Sequence, residues 1–205
     1  MNIYATVCST VCSTVCSTVC STVCSTVCST VCSTLLLACS AWGRNTAAPD
    51  AHVVNVCIEY DSEPRAVQIA QSVATRLLAA TDVNLRWQTG FRACPANGVR
   101  ITLAPHSTSG EHPGAYGYAS PYEKSGIHIF ADRIAAAEPG PAMAQLLGHV
   151  LAHEITHILQ AIVRHSETGL MRAHWSPEDH VRMRQNLLGW DATDREIIHA
   201  GLATR

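Results

Sequence analysis

Apolar and polar residues alternate from His52 to Tyr60, with Val54, Val56 and Ile58 on one side and Asn55 and Glu59 on the other. This period of two predicts a strand with one buried face. Ser62-Glu63-Pro64 then opens a helix to about Ala80, in which Val67, Ile69, Ala70, Val73, Leu77 and Leu78 recur at helical spacing. Asn84–Gln88 and Val99–Ala104 read as two further strands, separated by the turn-rich Cys94-Pro95-Ala96-Asn97-Gly98. Pro105–Gly117 reads as a loop, and Ile127–Phe130 as a fourth short strand near a sheet edge. After Pro139-Gly140-Pro141 a long helix is predicted from Ala142 to about Val163. Its Leu146, Leu147, Val150, Leu151, Ile155, Ile158 and Leu159 form so wide an apolar face that it must be largely buried. Ser176-Pro177-Glu178-Asp179 caps another helix to about Leu188, and Asp191–Ala200 predicts a short last one. The sum is an α+β domain, a small twisted mixed sheet packed on helices with a helical C-terminal tail.

The chain before this domain follows neither period. Thr-Val-Cys-Ser is repeated seven times without error from Thr6 to Ser33. Solenoid units are longer and more varied, so a recent expansion of a short DNA tandem repeat explains the array better. Being uncharged and rich in β-branched residues, it carries some aggregation risk in water. It runs into Leu35-Leu36-Leu37-Ala38-Cys39-Ser40-Ala41-Trp42, an apolar core followed by small residues, as at the end of a bacterial signal peptide. Leu37-Ala38-Cys39 resembles a lipobox, which would make Cys39 a lipid anchor at the membrane. Ala38-Cys39-Ser40-Ala41 would equally suit an ordinary signal peptidase. Against both, Met1–Ala5 lacks Lys and Arg, and the apolar stretch is far longer than usual. A disordered leader or a weak membrane span competes with these readings. The expectation is export, with residues 1–42 as leader, 43–51 as linker and 52–205 as the single folded domain. Cys57 and Cys94 are then the pair left in the folded part, either bridged in an oxidising compartment or present as two buried thiols.

Composition narrows the partners. The chain has 205 residues, a net charge of −2 and 47% hydrophobic residues, which suits one globular domain of ordinary size. With no Lys/Arg cluster there is no plausible stripe for phosphates, so nucleic acid is not expected. No feature specifies an oligomeric state.

The residues with the sharpest chemistry are His153-Glu154-Ile155-Thr156-His157 on the long buried helix. Side chains four apart share a helix face, so His153 and His157 can reach one metal ion, with Glu154 beside them as a base. This HExxH pattern is that of zinc metallopeptidases. A catalytic zinc usually has three protein ligands and one water. His165, in His165-Ser166-Glu167-Thr168-Gly169-Leu170-Met171, is the preferred third ligand. Continuous helix would carry it about 12 Å past His157, so the chain must leave the helix around Val163–Arg164 and fold back. Gly169 would permit a tight turn, and Met171 would lie as an apolar floor under the ligands. Glu178 on the next helix, or more weakly Glu167, is the alternative third ligand. His149/His153 is an alternative ligand pair.

Here the chain resembles the metzincin metallopeptidases, which join an extended HExxH motif to a third His and a downstream Met-turn. It looks closer still to bacterial exported proteins with the pattern HExxHxLLG…HSxxGIMxAxW. The corresponding stretch, from His153 to Trp175, reads HEITHILQAIVRHSETGLMRAHW. The likeness extends loosely from about Val53 to Trp190. It departs from metzincins in the spacing: the third His falls eight residues after the second rather than six, and no glycine ends the helix, Gln160 and Ala161 standing there. The resemblance implies a zinc metalloendopeptidase acting on a peptide or protein substrate, with one zinc on His153, His157 and His165. It also implies a zinc-activated water, Glu154 as general base, and a substrate strand added along Ile127–Phe130. Tyr116, Tyr118, Tyr122 and His174 are candidates by position for stabilising the oxyanion. The rival reading is an exported, zinc-stabilised binding or structural domain that cleaves nothing.

Overall fold

A computed structural model describes residues 52–61, 63–107, 112–123 and 126–204. The leader, the repeat, Cys39 and the linker lie outside the described residues. Five strands and one helix come first: β1 (His52–Tyr60), α1 (Pro64–Ala79), β2 (Val83–Thr89), β3 (Val99–Ala104), β4 (Gly117–Ser120) and β5 (Gly126–Phe130). The helices α2 (Ala131–Ala137), α3 (Pro141–Gln160), α4 (Pro177–Gln185) and α5 (Ala192–Leu202) complete the chain. The sheet order is β2-β1-β3-β5-β4, parallel throughout except for β4, which runs antiparallel to β5. This is the α+β mixed sheet on helices that the hydrophobic periods predict.

β1 buries one face as its alternation predicts, and on the other face only Cys57 is buried, Val53 and Glu59 being exposed. Val54, Val56 and Ile58 enter the main core under α1 and α3, while Cys57 on the opposite face is fully buried in a disulfide to Cys94. The bridge ties β1 to the turn before β3, so the two thiols are not free. α1 packs its Val67, Ala70, Val73, Ala74, Leu77 and Leu78 into that core. Trp190, from the segment before α5, donates its indole N–H to the Leu77 carbonyl at 2.8 Å and closes this end.

The sequence periods missed two elements and misplaced one edge. β4 has no alternating pattern and α2 is an alanine-rich helix of about two turns, so neither carries a signal of its own. Because β4 pairs outside β5, Ile127–Phe130 is an inner strand and β4 is the edge. Any strand added to this side of the sheet must therefore pair with Gly117–Ser120.

α3 is buried along nearly its whole length from Ala144 to Gln160. It stops earlier than expected, at Ala161, which takes the left-handed conformation (φ 56°, ψ 24°) that normally falls to glycine. An alanine there costs about 1–2 kcal/mol of backbone strain, which surrounding structure must offset. α4 begins with the expected cap: Ser176 Oγ accepts from Asp179 N–H at 3.3 Å, and the Asp179 carboxylate accepts from Ser176 N–H at 3.0 Å.

Candidate metal centre

α3 supplies the first two histidines from one face, four residues apart. Their rings are 4.8 Å apart centre to centre, and the Nε2 atoms approach to 3.1 Å. The chain turns back immediately after Ala161, two to three residues before the point expected at Val163–Arg164. His157 Nδ1 donates to the Ile162 carbonyl at 3.3 Å across that turn. His165 then comes round to face both rings, 5.4 Å from His153 and 5.0 Å from His157 between ring centres. One nitrogen from each of the three lies within 4.8 Å of the others.

The return segment is closed by its own backbone. Ser166 N–H donates to the Met171 carbonyl at 2.8 Å, and Leu170 N–H to the Gly189 carbonyl at 2.9 Å. The Leu170 carbonyl accepts from His153 Nδ1 at 2.9 Å and from the Trp175 indole at 3.2 Å. Met171, next in the chain, is fully buried. Gly169 has φ +76°, and a Cβ there would lie 2.5 Å from the Gly189 carbonyl oxygen. Gly169→Ala combines a disfavoured backbone with a backbone collision, so we expect a loss of about 2–5 kcal/mol. Urea unfolding of the variant checks this; a loss under 1 kcal/mol would show that the segment moves aside freely.

The hydrogen bonds decide the ring tautomers. A carbonyl only accepts, so Nδ1 carries the proton in His153 and His157, and Nε2 of each presents a lone pair. Two lone pairs 3.1 Å apart repel unless a cation lies between them. Tetrahedral zinc with Zn–N near 2.0–2.1 Å separates its nitrogens by about 3.3 Å, so the pair fits such an ion. The Leu170 and Ile162 carbonyls hold the two rings as outer acceptors would orient imidazoles on a metal. No motif in the sequence identifies them, because backbone atoms carry no side-chain signature.

Burial also sets the charges. His153 is pushed down to about 3, first by burial and then by the His157 ring. His157 falls to about 4 by burial and then by His165, whose own value is lowered by burial and by His174. Glu154 is buried with no cationic partner among the described residues, and burial pushes its carboxyl up to about 8. In the metal-free chain these shifts act in opposite directions. Glu154 contributes stability that is full below its ordinary 4.5 and is lost as pH rises toward 8. The two histidines contribute stability that is full above 6.5 and is lost as pH falls toward 4 and 3. Between about pH 7 and 8 the unfolded histidines are mostly neutral already, so the Glu154 contribution changes most among these three. The chelated chain should therefore lose stability across that window, with a slope held below ~1.4 kcal/mol per pH unit because the last of the histidine contribution opposes it. Unfolding curves at the two ends measure it, and Glu154→Gln should flatten the slope; an equal slope in the variant would refute the assignment.

The three histidines and Glu154 line a cleft of about 490 Å³ whose wall includes β4 at Gly117, Tyr118 and Ala119. His165 is exposed, so the cleft opens to solvent on its side. Tyr116, Tyr118 and His174 line the cleft, whereas Tyr122 is 79% exposed and lies outside its wall. Trp175, edge-on to His153 at 5.5 Å, and Arg172 also line it, and sequence reasoning assigned neither a place there. The alternative ligands lie elsewhere. His149 is fully buried, with Nδ1 on the Gln145 carbonyl at 2.8 Å and Nε2 receiving the Leu188 N–H at 3.3 Å, so both ring nitrogens are occupied. Glu178 and Glu167 are exposed and do not join the three histidines.

No protein-family model matches the chain, and no curated protein matches it in sequence. Solved structures do share its fold. Archaemetzincin from Methanopyrus kandleri is similar with a TM-score of 0.52 at 11% identity, over 77% of this chain and 99% of that one. A zinc-dependent peptidase from Methanocorpusculum labreanum strain Z is similar with a TM-score of 0.50 at 11% identity, over 70% and 99%. At such identity the likeness is one of fold: the α+β architecture here is shared with these two proteins.

Proposed function

We propose that the chain is a zinc metallopeptidase whose one zinc is held by Nε2 of His153 and His157 together with His165. The single observation that carries this reading is the 3.1 Å approach of two proton-free imidazole nitrogens, with a third His beside them. When bound, zinc would lower the pKa of a water and polarise a substrate carbonyl. Glu154, from the same turn of α3, holds and moves the proton: its carboxylate takes one from water and returns it to the leaving amine. Leu170 and Ile162 keep the rings oriented through their carbonyls. β4, the outermost strand of the sheet among the described residues, offers an extended peptide an edge along one wall of the cleft. Tyr116, Tyr118 and His174 are the candidates for holding the developing oxyanion, since Tyr122 lies outside the cleft.

Three features favour an enzyme over a zinc-stabilised structural domain. The described residues offer three protein ligands rather than four, the third is exposed, and a cleft opens on them. Export fits the Cys57–Cys94 disulfide, which an oxidising compartment preserves. The test is hydrolysis of a quenched-fluorescent peptide pool. Activity should vanish with a strong chelator and return with about one equivalent of zinc per chain. Hydrolysis that survives removal of all metal would refute the proposal.

A further inference from the structure

His165 is the exposed member of the three, yet the residues on both sides of it are tied to one buried carboxylate. Asp194, in the first turn of α5 and fully buried, accepts through Oδ1 from Ser166 Oγ at 2.7 Å and from Arg164 Nη1 at 2.6 Å. The same Arg164 nitrogen donates to Ser166 Oγ at 3.2 Å, which closes a three-membered cluster around the backbone of His165. The backbone carbonyl of Asp194 accepts from Gln160 Nε2 at 3.3 Å, at the last residue of α3. One residue of α5 thus grips the end of the helix that carries His153 and His157 and also the segment that carries His165. α5 is seated tightly for this, because Gly201 packs on the Leu159 carbonyl where any Cβ would collide.

We propose that Asp194 is a positioning residue for the third ligand, a role that rests on the metal-centre reading above. The segment needs such a hold. It departs from α3 through a strained alanine, and Ile162 and Val163 are 36% and 61% exposed, so packing restrains it little. Stability is a poor reason for the cluster. The second oxygen of Asp194 and the Gln160 side-chain oxygen are buried with no donor among the described residues. A buried carboxylate satisfied on one side costs free energy that a well-packed apolar residue would not. What the carboxylate supplies is geometry, by fixing Arg164 and Ser166 and therefore the direction of the ring between them.

The experiment is zinc affinity of the full chain by competition with a chromophoric chelator, together with the visible spectrum of the Co²⁺-substituted form. Asp194→Ala should weaken zinc by about 10–100-fold, the range seen when outer partners of ligands are lost, and should alter the cobalt spectrum. Asp194→Asn keeps the shape and the acceptor, and should recover most of the affinity. If Asp194→Ala melts lower but binds zinc as tightly as the wild type, with an unchanged cobalt spectrum, the positioning role is overturned. Should that variant fail to fold, Ser166→Ala removes one arm and leaves the Arg164 pair. It should weaken zinc by about three- to tenfold, and an unchanged affinity overturns the proposal. No zinc on the folded wild-type chain would overturn the metal centre and this role together, whereas equal zinc on wild type and Asp194→Ala overturns this role alone.

Discussion

Glu154→Gln should keep its zinc and lose peptide hydrolysis by about 10²–10⁴-fold, the contribution of a positioned general base. Glutamine preserves the volume and the polar end of the side chain but cannot take a proton at neutral pH. Glu154 lies in the cleft beside the three histidines without being one of the grouped ligands, so removing its charge should leave the ligand set intact. Its buried carboxyl, raised to about 8, would also be replaced by a group that burial does not penalise as a charge. The metal-free variant should accordingly be at least as stable as the wild type above pH 7. The measurement pairs zinc content with turnover of the same preparation. Retained zinc with full turnover would remove Glu154 from the mechanism, whereas zinc held without turnover in the wild type itself would favour a domain in which the metal only stabilises the fold.

His165→Ala should weaken zinc by more than the roughly 100-fold upper range for an outer partner, because an inner ligand is lost. Glu178→Ala should leave zinc affinity unchanged. Glu178 sits in the first turn of α4, exposed, with its carboxyl held low by backbone and Ser176 hydrogen bonds at the helix start. His165, by contrast, stacks against His153 at 5.4 Å and meets His157 edge-on at 5.0 Å. Titration of both variants against a zinc buffer separates the two schemes. Loss of zinc in Glu178→Ala with retention in His165→Ala would invert the assignment.

The parts of this fold that repeat a period were legible in the sequence. The alternation of Val54, Val56 and Ile58, and the helical spacing from Val67 to Leu78, lead directly to β1 and α1. β4 was not legible because Gly117-Tyr118-Ala119-Ser120 has no apolar alternation and becomes a strand only by pairing with β5. That omission moved the sheet edge, and with it the wall of the cleft, from Ile127–Phe130 to β4. The histidines were legible because their side chains carry the chemistry and their spacing follows from helix geometry. How His165 reaches the site was not, since the turn is made by Ala161, a residue with no preference for the left-handed region. The restraints that compensate come from far along the chain. Asp194 reaches back 28 residues to Ser166, and the Leu170 carbonyl reaches His153 across 17. Pairings of that kind are written in the tertiary structure and in no local pattern.

Zinc content of the purified, folded full-length chain, by elemental analysis after gel filtration, tests the central claim most directly. The account predicts about one tightly held zinc per chain, lost in His153→Ala and His157→Ala. A folded chain that holds no zinc and takes none up on titration would contradict it, and would leave His153 and His157 as packed residues of a buried helix.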